Sequence, residues 1–258
     1  MPDVASGGAR LRYWVDGAVG RPVVLLAHAL GTSSALWDPQ MPALLERFRV
    51  IRYDARGHGG STAPQGEYTI DQLGRDAVAV LDAAGADSAH VCGLSLGGIT
   101  ALWLALNARS RVRRIVLANT AARIASAGFW QERIDLIKAQ GLQPVAEGAP
   151  VRWFTEGFRR DHPDLPARFQ QMVLSSSPSG YAACAAALRD ADLRPRLADV
   201  TVPSLVIAGR FDPVTPPADA DALIAGIAGA QSVVLEAAHF SNVEKADEFT
   251  KALVDFYG

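Results

Sequence analysis

A chain of 258 residues with 49% hydrophobic side chains is long enough for one large α/β domain, or for such a core with an inserted cap. Basic and acidic residues nearly balance, leaving a net charge of −2 that favours neither nucleic acid nor an anionic membrane as partner. No apolar run reaches membrane-spanning length, the start Met1–Gly7 lacks the basic and apolar regions of a signal peptide, and Cys92 and Cys184 lie far apart as reduced thiols would, so a cytoplasmic protein is expected.

The first predicted strand runs over Leu11–Val15, and the second, Val23–Ala27, reads as buried on both faces. Val50–Tyr53 is the third. It is followed by Asp54-Ala55-Arg56-Gly57-His58-Gly59-Gly60-Ser61, whose glycines have no phosphate-cradle spacing. Asp54 and His58 are expected to organise that loop through side-chain-to-backbone bonds. Asp71–Ala84 carries Leu73, Ala77, Val80, Leu81 and Ala84 on one helical face, with Asp71 as its expected cap. The strand His90–Cys92 leads into Gly93-Leu94-Ser95-Leu96-Gly97 and then the helical run Ile99–Ala105. Further strands are expected at Ile115–Ala118, Ser204–Ala208 and Ser232–Leu235. Alternation of this kind predicts an α/β, doubly wound and mostly parallel sheet. From residue 122 to 199 it stops, and helical periodicity broken by Pro144, Pro150, Pro163, Pro166 and Pro178 predicts an inserted helical cap. The core then comprises residues 1–121 and 200–258, with the cap over the sheet's C-terminal edge, where ligands bind in open α/β folds.

Strand, G-x-S-x-G and helix in succession describe a sharp turn that lifts the Ser95 hydroxyl above the sheet edge, with a helix N-terminus aimed at any anion formed there. A serine hydroxyl is a weak nucleophile, so it needs a base, and the base needs an orienting partner. Asp212 and His239 each follow one of the last two strands, and the order Ser95, Asp212, His239 suits a nucleophile, acid and base of one triad. The strand ending at Ala118 is followed by Asn119, so no second acid competes. Ala27-His28-Ala29-Leu30-Gly31-Thr32 follows a buried strand and resembles an H-G-x-G oxyanion loop, which makes the Leu30 and Leu96 amides the expected oxyanion donors. His28 is expected to shape that loop. No metal-ligand pattern is present, and neither metal nor cofactor is expected.

Together these residues resemble the α/β-hydrolase superfamily, and within it the 3-oxoadipate enol-lactonases. The likeness in the cap rests on Asn119–Ile124, Trp130 with Arg133, Arg152-Trp153-Phe154-Thr155, Gly180–Ala186 and Arg189–Arg194. It implies cofactor-free hydrolysis of a small carboxylate-bearing lactone, with Trp130, Arg133 and Trp153 as substrate-binding residues and Arg133 on the carboxylate. Two positions depart from the pattern. His28-Ala29 stands where those lactonases often carry Asn-Ser, and Leu96 where they favour methionine. The first change leaves room for a different ester or lactone. A general carboxylesterase, a C–C bond hydrolase of aromatic degradation and a non-enzymatic receptor of the same fold are the alternatives.

Overall fold

Short apolar strands alternating with amphipathic helices build the core, and the computed structural model describes residues 1–258. A strand that periodicity did not reveal comes first: β1 (Asp3–Ser6) pairs antiparallel with β2 (Ala9–Asp16). None of its four side chains is buried, so it carries no apolar pattern to read. The remaining strands are β3 (Val23–Ala27), β4 (Arg49–Tyr53), β5 (Ala89–Leu94), β6 (Val112–Ala118), β7 (Ser204–Gly209) and β8 (Gln231–Leu235). They form one eight-stranded sheet in the order β1-β2-β4-β3-β5-β6-β7-β8. Only the β1–β2 and β2–β4 pairs are antiparallel. From β4 to β8 every pair is parallel, so the chain returns through crossover connections.

The core helices are α1 (Met41–Arg47), α2 (Ile70–Ala83) and α3 (Leu96–Asn107). The cap of α2 is Thr69, not the expected Asp71. Thr69 accepts from the Gln72 amide while the Gln72 side chain accepts from the Thr69 amide, a reciprocal box that a side chain inside the first turn cannot make. Asp71 instead pairs with Arg75 one turn on. Every residue of α3 from Leu96 to Ala105 is buried, as suits a nearly all-apolar helix lying against the middle of the sheet.

Between β6 and β7 lie six helices: α4 (Ala127–Gln140), α5 (Gln143–Glu147), α6 (Ala149–Trp153), α7 (Glu156–Asp161), α8 (Asp164–Leu174) and α9 (Pro178–Asp190). The prolines fall within or beside their first turns, where no intrahelical amide bond is lost. The chain closes with α10 (Pro217–Gly226), α11 (Ser241–Glu244) and the amphipathic α12 (Ala246–Tyr257).

Backbone packs most tightly against backbone at the turn between β5 and α3. A Cβ on Gly97 would sit 2.0 Å from the Ala27 carbonyl oxygen, and one on Gly93 would sit 1.9 Å from the Gly97 carbonyl oxygen. Both obstacles are backbone and cannot rotate away. Gly97→Ala is therefore expected to lower the unfolding free energy by at least about 2 kcal/mol in urea titration. Gly128→Ala is the control, because only the Ser126 hydroxyl comes within 3.9 Å of its Cβ position, and it should leave the midpoint unchanged or higher. Equal midpoints for the two variants would contradict this packing.

Candidate active site

β5 ends at Leu94 and α3 begins at Leu96, which leaves Ser95 alone in the turn with φ 57° and ψ −115°. A non-glycine residue rarely occupies this region, and the surrounding bonds hold it there. The Ser95 amide donates to the Ala118 carbonyl (3.0 Å), and its own carbonyl accepts from the Thr120 hydroxyl (2.8 Å) and the Ile99 amide (3.0 Å). The Ser95 side chain faces a cavity of about 310 Å³ whose wall also includes Ala29, Leu30 and His239. As the first residue of α3, Leu96 has an amide with no partner inside the helix. Leu30 follows β3 in a loop where Gly31 donates to His58 and Thr32 to Ala29, while its own amide donates to no group of the chain.

His239 and Asp212 meet behind this wall. The imidazole Nδ1 donates to Asp212 Oδ2 at 2.8 Å, and both side chains are essentially inaccessible. Asp212 Oδ2 also accepts from Asn119 Nδ2 (3.0 Å) and the Thr215 hydroxyl (2.7 Å), while Oδ1 accepts from the Val214 and Thr215 amides. Burial alone would raise the pKa of this carboxyl. The His239 charge and the hydrogen bonds from His239, Asn119 and Thr215 outweigh it and hold Asp212 down at about 2. A permanently ionised Asp212 fixes the proton on His239 Nδ1 and leaves Nε2 as the basic nitrogen.

Asn119 and Thr215 were not legible as site residues. In the sequence Asn119 marks only the lack of an acid after β6, yet it sits at φ 43° and bridges Asp212 to the Ser241 hydroxyl, which donates to its Oδ1 at 2.5 Å.

The far wall of the cavity comes from the helical segment. Trp130, Arg133 and Trp153 all line it, and so do Phe129, Arg152 and Tyr181, which the sequence does not mark as substrate-binding residues. Arg152 belongs to one of the stretches that carry the family likeness, which was the signal available for it. Trp130 Nε1 donates to the Ile124 carbonyl (2.6 Å), fixing the indole at the mouth of α4. Trp153 stacks on Phe240 at 4.3 Å, directly beside His239 in sequence. Arg133 lies over the Phe129 ring at 5.3 Å, and Arg152 donates to the Val145 carbonyl at 2.9 Å. Burial, and then the Arg133 charge, lower the Arg152 pKa, so the two guanidinium groups share one field with no carboxylate between them.

His28 stands outside the cavity. Its ring packs behind the loop, among Tyr53, Ala55, Leu96 and Gly97, so the departure at His28 adds nothing to the pocket wall. Its Nε2 accepts from the Ala55 amide at 2.9 Å, and its Nδ1 donates to the Ala29 carbonyl at 2.8 Å. His58 Nε2 accepts from the Gly31 amide at 2.9 Å, and its Nδ1 donates to the Arg56 carbonyl at 3.1 Å. Cys92 and Cys184 are both buried and unpaired.

A family model for the α/β-hydrolase fold matches residues 22–246, and the chain belongs to that family. Within it, 3-oxoadipate enol-lactonase 2 of Acinetobacter baylyi is 43% identical over 243 residues, which cover 94% of this chain and 91% of that protein. 3-Oxoadipate enol-lactonase 1 of the same organism is 35% identical over 249 residues, covering 96% of this chain and 93% of that protein. The crystal structure of the enol-lactonase from Burkholderia xenovorans LB400 matches with a TM-score of 0.97 at 41% identity, covering 99% of each chain.

The buried imidazoles make stability depend on pH. Burial, and then the His28 charge, push His58 down to about 3; burial also lowers His28; and burial, then Arg114 and Arg113, push His90 to about 4. A free imidazole titrates near about 6.5, so between that pH and 3 the unfolded chain binds protons that the folded chain refuses. Their stability contribution is complete above about pH 6.5 and is lost progressively below it. The urea midpoint at pH 5 should therefore lie clearly below that at pH 7.5. Identical midpoints would contradict the neutral, buried state of these rings.

Proposed function

We propose that this protein hydrolyses 3-oxoadipate enol-lactone to 3-oxoadipate through a Ser95–His239–Asp212 triad and an acyl-enzyme. The hydrolase class follows from the family, and ester or lactone chemistry from its enol-lactonase relatives. The observation that carries the finer reading is a pair of arginines without acidic partners, Arg133 and Arg152, in the same cavity as Ser95 and His239. Both guanidinium groups are half-buried, and two such cations in one cavity call for an anion, which the acetate arm of this lactone supplies. The cavity, at about 310 Å³, suits a small ligand, and residues 122–199 serve as the cap that closes it.

In the proposed sequence, Ser95 Oγ attacks the lactone carbonyl carbon and His239 Nε2 takes its proton. The Leu30 and Leu96 amides hold the oxyanion of the tetrahedral intermediate. Collapse breaks the ring C–O bond, and His239 returns the proton to the departing enol oxygen; the enol becomes the 3-oxo group. Water, deprotonated by His239, then attacks the acyl carbon, and Ser95 leaves with the proton. The product carries two carboxylates, one at the oxyanion site and one against the arginines. No step asks for a metal or a cofactor.

Ser95→Ala and His239→Ala should each lower turnover by about four to six orders of magnitude, and the double variant should be little worse than either. Asp212→Asn should cost less. Arg133→Met should cost about 2–4 kcal/mol in kcat/KM for the acidic lactone. It should leave a neutral aryl ester of similar size nearly untouched. Steady-state kinetics on the two substrates checks each point. A tenth of wild-type turnover in Ser95→Ala would remove the serine mechanism, and equal losses on both substrates would remove Arg133 from carboxylate recognition.

A further inference from the structure

The Leu30 amide is flanked on both sides by hydrogen-bonded backbone groups, held from within its own loop on one side and from the loop after β4 on the other. A peptide unit is planar, so the Ala29 carbonyl and the Leu30 N–H move as one rigid plate and point in opposite directions. Three donors fix the carbonyl end of that plate: His28 Nδ1 at 2.8 Å, the Thr32 hydroxyl at 2.8 Å and the Thr32 amide at 3.2 Å. On the other side, the Gly31 amide is fixed by His58 Nε2 at 2.9 Å.

The two imidazoles form a reciprocal brace. His28, from the loop after β3, accepts from Ala55 in the loop after β4; His58, from the loop after β4, accepts from Gly31 in the loop after β3. The rings meet edge to face, with centroids 5.4 Å apart. Because a backbone N–H only donates, both Nε2 atoms must carry lone pairs, and both rings are neutral with the proton on Nδ1.

The loop that carries His58 is itself rigidly anchored. The Asp54 carboxylate accepts from the Ser34 amide (2.8 Å) and the Gly60 amide (2.7 Å). Arg56 makes a two-armed, buried ion pair with Asp76 of α2, at 2.6 and 2.7 Å. On the cap side, Tyr181 lies against the His58 ring and against Gly31, where an added Cβ would meet it at 2.8 Å. The loop after β3 is therefore held to α2 through two imidazoles, and Leu30 lies between their points of attachment.

We infer that His28 and His58 are positioning residues that aim the Leu30 amide at the developing oxyanion. This rests on the assignment of Leu30 as an oxyanion donor in the proposed hydrolysis. It also gives the departure at His28 a purpose: the imidazole works on the donor plate from behind and never touches the substrate. The brace acts on kcat and not on ground-state binding, because an oxyanion exists only in the transition state and the intermediate.

The test compares His28→Leu, which keeps volume and loses both bonds, with His28→Asn, whose amide nitrogen overlays Nδ1 and keeps the bond to the Ala29 carbonyl while losing the one from Ala55. Each variant is assayed with p-nitrophenyl acetate for kcat and KM, and with an alkyl trifluoromethyl ketone, which forms a tetrahedral adduct on the serine, for Ki. His28→Leu should lower kcat by about 10²-fold, as expected for a misaimed donor, with KM within about twofold. Its Ki for the ketone should rise in step with the loss of kcat, and His28→Asn should recover most of both. Folded His28→Leu with unchanged kcat, or with a kcat loss that Ki does not follow, would overturn the brace. Should His28→Leu fail to fold, the wild-type imidazole nitrogen resonances decide at pH 7: both rings must be Nδ1–H tautomers, and an Nε2–H or charged ring at either position overturns the inference. A Ser95→Ala control separates the two levels. Turnover by that variant would end the serine reading and the role of Leu30 with it, whereas an inactive Ser95→Ala beside a fully active His28→Leu would end only the brace.

Discussion

The site depends on one backbone conformation, the positive φ of Ser95 between β5 and α3. That residue projects its hydroxyl out of the sheet only because the chain on either side comes in very close. Gly93 lies against the Gly97 backbone, Gly97 against the Ala27 carbonyl, and Gly98 against the Thr120 side chain, where an added Cβ would be 2.5 Å away. The two central parallel strands thus pin the start of α3, and the same contact brings the loop after β3 beside the first amide of that helix. The proposed nucleophile and the proposed oxyanion donors are therefore not independent features. The packing that strains Ser95 also sets the distance between the Leu30 and Leu96 loops, and a helix N-terminus completes the electrostatics.

The acid–base half of the site is fixed from the other side of the sheet and is coupled to the helical segment. Asp212 receives donors from three loops, which keeps it ionised in a buried place and gives the imidazole one orientation. The loop that carries His239 is clasped to the segment above it. Phe240 donates its amide to the Trp153 carbonyl at 3.0 Å and stacks on the Trp153 ring. Glu244 accepts from the Ala238 amide at 2.9 Å and from the Thr155 amide at 3.3 Å, and the Thr155 hydroxyl donates to the same carboxylate. Arg152, one residue before Trp153, is thereby placed relative to the histidine by backbone bonds and an aromatic stack. The groups proposed for substrate recognition and for proton transfer share one rigid frame.

Much of this was legible in the chain because the relevant signals are local. A glycine-flanked serine between an apolar strand and an apolar helix has one geometric meaning, and Asp212 and His239 follow from the ends of the last two strands. Trp130 and Arg133 are three apart on one helix, and both do face the cavity. What was not legible is what depends on distant partners or on buried polar satisfaction. The half-exposed β1 gave no apolar pattern, and Asp71 could not be told from Thr69 as a cap without the reciprocal Gln72 bond. Asn119 looks like a failed acid until Asp212 is placed beside it, and Arg152 looks like any short-helix arginine until Arg133 is seen across the pocket. The change at His28-Ala29 read as one beside the bound carbonyl, and only Ala29 lines the cavity, because the His28 ring turns the other way.

The central claim is that the strained turn makes Ser95, alone among the serines of this chain, a nucleophile. The most direct measurement is reaction of the native protein with a fluorophosphonate, followed by peptide mapping of the adduct with and without a small lactone as protectant. One stoichiometric adduct on the Gly93–Gly97 peptide, at Ser95, formed with complete loss of activity and suppressed by the lactone, is the predicted result. Label spread over several serines, or full labelling of Ser95 with activity intact, would contradict the account.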